Sequence, residues 1–219
     1  MNEVIQTIAV YALPLLFAIT LHEAAHAYAA KFFGDTTAYA MGRMSLNPTK
    51  HIDPFGTILM PLVLYVATSG TFFFGYARPV PVDFGKLRKP KIHMIWVALA
   101  GPAANFVMAL IWLVFWLVLN AMRIQEPFFT EMAGAGVSTN LLLLAFNLFP
   151  VPPLDGGRVL TGVLPHKYSY RFAQIEPYGF FIVMALILLK VIYLWITPIT
   201  TVAGALLALL VTPLKLLLF

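Results

Sequence analysis

The first apolar stretch of the chain, residues 3–33, carries three ionisable side chains within five residues of one another: His22, Glu23 and His26. The stretch is long enough to cross the hydrocarbon core of a bilayer as one helix. A charged side chain at the centre of a membrane helix costs about 2.5–3.5 kcal/mol on an insertion scale, and such residues normally face the protein interior and have a partner. The rest of the chain must therefore fold around these side chains and supply what they bind.

The three residues form the pattern H-E-x-x-H. Histidines at positions i and i+4 lie on the same face of a helix, where two neutral imidazoles can bind one tetrahedral zinc ion. Glu23 lies beside that metal, where it can take a proton from a water molecule that attacks a carbonyl. The same letters also occur by chance in soluble helices whose residues face water, but the flanks here are too apolar for that. The pattern predicts zinc as cofactor, His22 and His26 as ligands and Glu23 as general base.

Composition excludes a soluble chain and narrows the choice of ligands. Of the 219 residues, 61% are hydrophobic and 11% are charged, whereas a soluble domain carries about 25% charged residues. We expect one integral membrane unit over residues 1–219, with a catalytic core at about 3–165 and a C-terminal helical hairpin at about 175–219. Because the chain has no cysteine, its metal ligands must be His, Asp or Glu. The net charge of +5 comes from loops beside apolar spans and does not indicate nucleic-acid binding.

The apolar segments predict an all-α polytopic membrane protein with five to six transmembrane helices. The clearest spans are residues 3–33, 92–120, 135–149, about 175–196 and 198–218, the last two divided at Pro198. Residues 54–76 are broken by Pro and Gly and have basic residues on both sides. This pattern favours a re-entrant hairpin, or a crossing followed by a partial return through residues 72–76. Residues 35–53 fit a short β-hairpin after the first helix and a plain connecting loop equally well. Counting positive charges puts the N-terminus outside and the C-terminus, with Lys215, in the cytoplasm.

A catalytic zinc needs a third protein ligand and an open position. Asp155 is the best candidate, because it follows a proline-rich run, residues 150–153, that cannot stay helical at membrane depth and must face protein or a polar cavity. Asp155 can instead be the N-cap of a helix over residues 156–164. His51 and Asp53 are the next candidates for the ligand, because their loop follows the motif helix.

Asn105 and Asn147 are amides within apolar segments. Each can donate a hydrogen bond to a substrate backbone or to the oxyanion that develops during acyl transfer. Each can equally well bond to a neighbouring helix within the bundle.

Three motifs together resemble the site-2 protease family of intramembrane zinc metalloproteases. They are His22-Glu23-x-x-His26, Gly101-Pro102-x-x-Asn105 and Asn147-x-x-Pro150-x-Pro152-x-Leu154-Asp155-Gly156. The resemblance covers about residues 15–165, and the stretch from Ala77 to Leu99 is similar to short members that lack accessory domains. It implies that Asp155 is the third ligand, that Glu23 is the general base, and that the cleaved bond belongs to a substrate transmembrane helix near the cytoplasmic face.

These observations together predict an intramembrane zinc metalloendopeptidase that acts in regulated intramembrane proteolysis. We expect a multi-pass protein of the cell membrane, specifically a bacterial inner or plasma membrane. Its expected partners are the lipid bilayer, a substrate protein with a transmembrane helix, and an accessory or regulatory membrane protein. The alternative is a metal transporter or sensor that uses the same ligands, but such a protein would string its ligands across the bilayer, whereas these lie at one depth.

Overall fold

The computed structural model describes residues 2–51 and 78–218, together with the single residues 53, 59 and 63. Within this part of the chain every regular element is helical, and no strand occurs. Five segments are long and apolar enough to span a membrane: Ile5–Phe33, Pro90–Ala121, Pro127–Asn147, His166–Leu188 and Tyr193–Leu218. The predicted all-α polytopic membrane fold is therefore confirmed. The re-entrant segment predicted for residues 54–76 lies outside the described residues, apart from 59 and 63.

The first helix, α1 (Asn2–Phe33), carries the H-E-x-x-H motif. It ends at Gly34, which has a φ of +115°. A left-handed glycine is the usual residue just past a helix end, because it has no Cβ to clash. Lys31 in the last turn is the second expected signal for this end.

The hairpin considered for residues 35–53 is wrong. Over residues 35–51 the chain forms a short helix, α2 (Thr37–Ala40), and a 3₁₀ turn at Pro48–Lys50. Asp35 accepts hydrogen bonds from the backbone N–H and the hydroxyl of Thr37, at 2.9 and 2.5 Å. Such local bonds from polar side chains compete with strand pairing and turn the backbone towards helix.

Two long helices, α3 (Pro90–Ala121) and α4 (Pro127–Asn147), pack beside α1 and form the core of the bundle. Their shared core consists of Val10, Met108, Trp112, Leu119, Met132, Ala133 and Ala135. Small residues let membrane helices approach closely, and Gly136 does so here: a Cβ at this position would overlap the indole ring of Trp112.

The remaining elements are α5 (Asp155–Val163), α6 (His166–Ala173), α7 (Gly179–Leu188) and α8 (Tyr193–Leu218). The predicted break at Pro198 is wrong, because the turn lies at residues 189–192 and Pro198 is inside α8. Lys190, at φ +59°, makes that turn. Pro198 lies only six residues into α8, so the missing N–H removes one backbone bond near the helix start and does not end the helix.

The C-terminal hairpin packs against the chain that leads from α4 to α5. Gly179 of α7 lies so close to Pro152 that a Cβ would overlap the Pro152 carbonyl. The indole N–H of Trp195 donates to the carbonyl of Ala145 at 3.0 Å, and its ring packs edge-on against Phe149. The start of α8 therefore lies beside the end of α4, and α8 runs back along α4.

One end of the bundle, which we call the basic end, collects most of the positive charge. The backbone N–H of Arg88 donates to the carbonyl of Phe33 at 2.9 Å, and the Lys91 ammonium contacts the carbonyl of Leu164, so the end of α1, the start of α3 and the end of α5 meet here. Eleven of the fourteen Lys and Arg residues belong to segments at this end. The prediction that Lys215 shares this side is wrong, because α8 starts near the basic end and carries Lys215 away from it.

Candidate metal centre

His22 and His26 lie one helical turn apart on α1 and are buried against α3. Only 7% and 9% of their surfaces are exposed, and their Nε2 atoms are 3.0 Å apart. Helix α3 approaches this closely because Gly101 lies opposite the two rings. A Cβ on Gly101 would overlap ring atoms of both histidines.

Both histidines are held through their Nδ1 atoms. His26 Nδ1 is 2.7 Å from the carbonyl oxygen of Val97, and His22 Nδ1 is 2.7 Å from Oδ1 of Asn105. Because these oxygens only accept hydrogen bonds, each Nδ1 must carry the hydrogen. Each Nε2 is then left with a lone pair directed at the space between the rings, which is the arrangement of a metal-binding imidazole.

Asn105 is fully buried, and its whole amide group is engaged inside the bundle. Its Nδ2 donates to the carbonyl of Ala18 at 3.2 Å and to Oδ1 of Asn140 at 3.0 Å. These two bonds fix the amide so that Oδ1 faces His22. The structure therefore contains the helix-to-helix bonding that the sequence left open, and both amide hydrogens are occupied within the protein.

Asn140 was not singled out from the sequence. It is completely buried on α4, and its own amide donates to the carbonyl of Gly136 at 2.8 Å. The signal was present, because Asn140 is an amide inside an apolar helix, as Asn105 and Asn147 are. Such groups need partners in the membrane interior.

Asp155, the first residue of α5, completes the group. Its Oδ2 lies 3.2 Å from His22 Nε2 and 3.3 Å from His26 Nε2. This oxygen is buried and has no hydrogen-bond partner among the described residues. With both Nδ1 atoms protonated, two nitrogen lone pairs and a carboxylate oxygen face one another with no hydrogen between them. That arrangement is repulsive unless a cation lies among the three atoms.

The separations of these three atoms fit zinc. Bonds of about 2.0–2.2 Å in a tetrahedral arrangement place neighbouring donor atoms about 3.3–3.5 Å apart, and the observed separations are 3.0, 3.2 and 3.3 Å. Among the residues that the structure describes, His22, His26 and Asp155 form the group of His and acidic side chains able to hold a metal. Three protein ligands leave one tetrahedral position open.

The other candidates do not join this group. His51 is buried elsewhere, with Nε2 2.8 Å from the carbonyl of Ser45, and Asp53 is likewise outside the cluster. Asp155 is not the N-cap of α5, because Leu154 occupies that position and no side chain caps the helix. Its carboxylate lies in the first turn, where negative charge is favourable.

Glu23 lies between the two histidines in sequence and is half-buried. Its Oε2 accepts a hydrogen bond from the backbone N–H of Val80 at 2.7 Å. No partner within the described part of the chain binds Oε1. One oxygen of this carboxylate is thus held by the backbone, and the other remains able to accept a proton.

Asn147 is the last residue of α4 and leads into the turn that carries Asp155. One of its amide hydrogens goes to the carbonyl of Leu143 at 2.9 Å. Its predicted contact with substrate stays a prediction.

The helices and the buried His-His-Asp group with its adjacent glutamate define a class, the membrane-embedded metalloproteases. Comparison with known families agrees: the model of peptidase family M50 matches residues 10–135 and 123–190. The chain belongs to this family, the site-2 proteases. It is a zinc metallopeptidase with several membrane-spanning segments.

Individual proteins that are similar to this chain are also named as zinc metalloproteases. The "Putative zinc metalloprotease YwhC" of Bacillus subtilis is 39% identical over 177 residues, which cover 78% of this chain and 77% of the relative. The "Putative zinc metalloprotease Rip2" of Mycolicibacterium smegmatis is 33% identical over 184 residues, or 82% of this chain and 67% of the relative. The Rip2 protein of Mycobacterium tuberculosis is 28% identical with the same coverage. No solved structure matches the chain.

Proposed function

We propose that this metallopeptidase hydrolyses peptide bonds inside the transmembrane segments of other proteins, close to the cytoplasmic face of the membrane. The observation that supports this most strongly is the depth of the metal centre. His22 and His26 lie eleven and seven residues before the end of α1 at Phe33, which is about 10–17 Å from the basic end at 1.5 Å per residue. A peptide bond that reaches these residues has to lie within the bilayer.

The charge distribution supports the proposed orientation. Cytoplasmic loops of membrane proteins carry an excess of Lys and Arg, and the basic end holds eleven of the fourteen here. The centre lies nearer to this end than to the other. We therefore assign the basic end to the cytoplasm. We assign the membrane to a bacterial plasma membrane because relatives that match most of the chain come from bacteria.

In the proposed reaction His22, His26 and Asp155 hold zinc and Glu23 moves the proton. Zinc held by these three residues would supply Lewis-acid chemistry: it would make a water molecule more acidic and would polarise the scissile carbonyl. Glu23 takes a proton from the attacking water and returns it to the leaving amine. The carboxylate is suited to both steps because Val80 holds one oxygen while the other is left to exchange the proton.

The substrate segment has to unwind before it can be cut. A helical peptide bond is already hydrogen-bonded and is shielded by the neighbouring turns, so it cannot reach the centre as part of an intact helix. Gly or Pro in the substrate near its cytoplasmic end would lower the free energy needed to unwind. We propose that Asn147, at the mouth of the Asp155 turn, donates to the unwound substrate backbone or to the oxyanion.

Replacing Glu23 tests this function directly. We expect Glu23→Gln to fold and to bind one zinc per chain, because all three ligands remain, but to lose cleavage of a reporter by at least about 100-fold, which is the lower range for a lost general base. The reporter is a single apolar transmembrane helix with a Gly-Pro pair near its cytoplasmic end, reconstituted with the protein in liposomes. Zinc content and cleavage are measured on the same preparations.

Substantial cleavage by Glu23→Gln would contradict the proposed role. Zinc uptake into liposomes that survives the substitution would instead favour a transport function for the same ligands. The substrate protein and an accessory membrane protein that presents it remain proposals; co-purification with Glu23→Gln, which should bind without cutting, is the way to find both.

A further inference from the structure

Residues 78–83, which we call the strap, cross the end of α1 beside the metal centre. The strap is fixed to the residues around it by three backbone N–H groups. That of Arg78 donates to the carbonyl of His51 at 2.9 Å, that of Val80 to Glu23 Oε2 at 2.7 Å, and that of Asp83 to Asp35 Oδ2 at 2.7 Å. The contact with Glu23 therefore belongs to a segment that is anchored on both sides of it.

The sequence of the strap stiffens it at this contact. Pro79 and Pro81 flank Val80, and each proline fixes its own φ near −65°. A proline also biases the residue before it towards extended backbone, which applies to Arg78 and Val80. Since prolines have no N–H, Val80 supplies the only backbone donor among residues 79–81.

The side chain of Val80 packs against α1 and so fixes the distance between the strap and this helix. Only 8% of its surface is exposed, and it packs with Ala27, Ala38 and Met44. Ala27 is four residues after Glu23 and so lies on the same face of α1. The Val80 side chain therefore packs on α1 one helical turn after Glu23, and its backbone N–H donates to the Glu23 carboxylate.

Arg43 clamps the strap from the other side. One of its Nη atoms donates to the carbonyl of Arg78 at 2.9 Å and lies 3.4 Å from that of Pro79. Burial lowers the pKa of the Arg43 guanidinium, as does the charge of Arg78, whereas the negative charge of Glu23 acts in the opposite direction. Arg43 therefore holds the two carbonyl groups that precede Val80 in the strap.

We propose that the strap, clamped by Arg43, is a positioning element for the catalytic base, and that the backbone N–H of Val80 holds one oxygen of Glu23 so that the other points towards the attacking water. The inference rests on the proposed role of Glu23. A loosely held carboxylate would rotate among several orientations, and small misplacements of a reacting group reduce rates by about 10–100-fold.

The chain offers a matched pair of substitutions that isolates this hydrogen bond. Val80 and Val82 each follow a proline in the strap, but the N–H of Val82 has no acceptor within the described residues. We expect Val80→Pro, which removes the N–H, to lower kcat about 10–100-fold with KM and zinc content close to those of Val82→Pro. Val80→Ala keeps the N–H and loses only part of the side-chain packing, so it should retain more turnover than Val80→Pro.

A second measurement does not depend on activity. In thermal unfolding of the purified full chain, Val80→Pro should lower the melting temperature more than Val82→Pro, because it also breaks the bond to Glu23. In a Glu23→Ala background that bond no longer exists, so the two proline substitutions should then differ less. This coupling tests the contact even if Glu23 proves to have another role.

Arg43→Ala provides a third variant in case Val80→Pro does not fold. It should lower kcat with zinc content unchanged. The control is Lys50→Ala, which removes a charge from the same connection and should behave as wild type, because within the described residues the Lys50 ammonium donates only to the carbonyl of Gly42. Equal turnover of the two proline variants together with an inactive Glu23→Gln would overturn the inference and leave the proposed function standing. Faster turnover of Val80→Pro than of wild type would also overturn it, since the strap would then restrain the base.

Discussion

The two histidines of the metal centre are oriented by different kinds of group. His26 Nδ1 donates to a backbone carbonyl, that of Val97, which no substitution removes. His22 Nδ1 donates to the side chain of Asn105, which is itself bonded to Ala18 and Asn140. The orientation of His22 can therefore be changed by mutation without touching a ligand.

We expect Asn105→Ala to weaken zinc binding by about 10–100-fold, the usual effect of removing a group that orients a metal-binding histidine. Competition with a chromogenic zinc chelator measures this without an activity assay. Asn120→Ala is the matched control, because Asn120 lies on the same helix but is exposed, and among the described residues its side chain bonds only to the carbonyl of Trp116. Zinc binding by Asn105→Ala as tight as by Asn120→Ala would contradict the orienting role.

Among the groups of the site, the sequence predicts the functional side chains but not the functional backbone groups. His22, Glu23, His26 and Asp155 could be found because few residue types bind zinc or move protons, and the apolar surroundings make them conspicuous. The donor to Glu23 is the N–H of Val80, which every residue except proline carries, so no letter marks it. Asn105 was singled out from the sequence, but its hydrogen-bond partner was not, because an amide can bond to a substrate or to a neighbouring helix equally well.

The connecting elements were harder to predict than the long helices. Apolar length alone identifies α1, α3, α4 and α8, because a membrane span admits little else. The predicted start of α4 at residue 135 is wrong, however, because the helix already begins at Pro127. The short elements depend on contacts that are distant in sequence. Asp35, for example, accepts hydrogen bonds from the backbone N–H of Thr37 at the start of α2 and from that of Asp83, 48 residues later. No sequence periodicity indicates such a contact.

Asp35 should make the stability of this region depend on pH. Burial alone would raise the pKa of Asp35, but hydrogen bonds from Thr37 and Asp83 and the charge of Lys86 outweigh it and lower the pKa below its usual value. A carboxyl with a depressed pKa in the folded state contributes full stability above its ordinary pKa, near 4. That contribution is lost as the pH falls through the lower, folded-state pKa.

We therefore expect Asp35→Asn to lower the free energy of unfolding at pH 7 by about 1.5–3 kcal/mol, the range for a hydrogen bond to a charged group. The difference in melting temperature between wild type and variant should stay constant down to about pH 4 and then narrow as Asp35 protonates. Thermal unfolding between pH 7 and pH 3 measures it. A difference that persists unchanged to pH 3 would mean that the charge of Asp35 contributes nothing.

In the whole molecule, zinc would join two parts of the chain that are far apart in sequence. His26 and Asp155 are 129 residues apart, and their helices, α1 and α5, are each packed on α3. A metal that binds the folded chain and not the unfolded one stabilises the fold by about 4 kcal/mol when its concentration is 1,000 times its dissociation constant.

Removal of zinc by a chelator should therefore lower the melting temperature of the purified protein, and added zinc should restore it. His22→Ala, which lacks one ligand, should show a much smaller shift under the same treatment. The measurement is thermal unfolding in detergent with and without EDTA, followed by zinc titration. An equal shift in wild type and His22→Ala would indicate that the stabilising metal binds somewhere else.

The close packing of Gly179 on Pro152 and of Trp195 on Phe149 and Ala145 has a consequence for the extent of the enzyme. A fragment that stops near residue 165 would contain every ligand and the glutamate, yet lipid would replace protein behind the turn that delivers Asp155. Lipid chains cannot hold a proline-rich turn to within a fraction of an ångström. The smallest unit able to bind the metal therefore extends past the last recognisable motif, into a hairpin that supplies neither a metal ligand nor the catalytic glutamate.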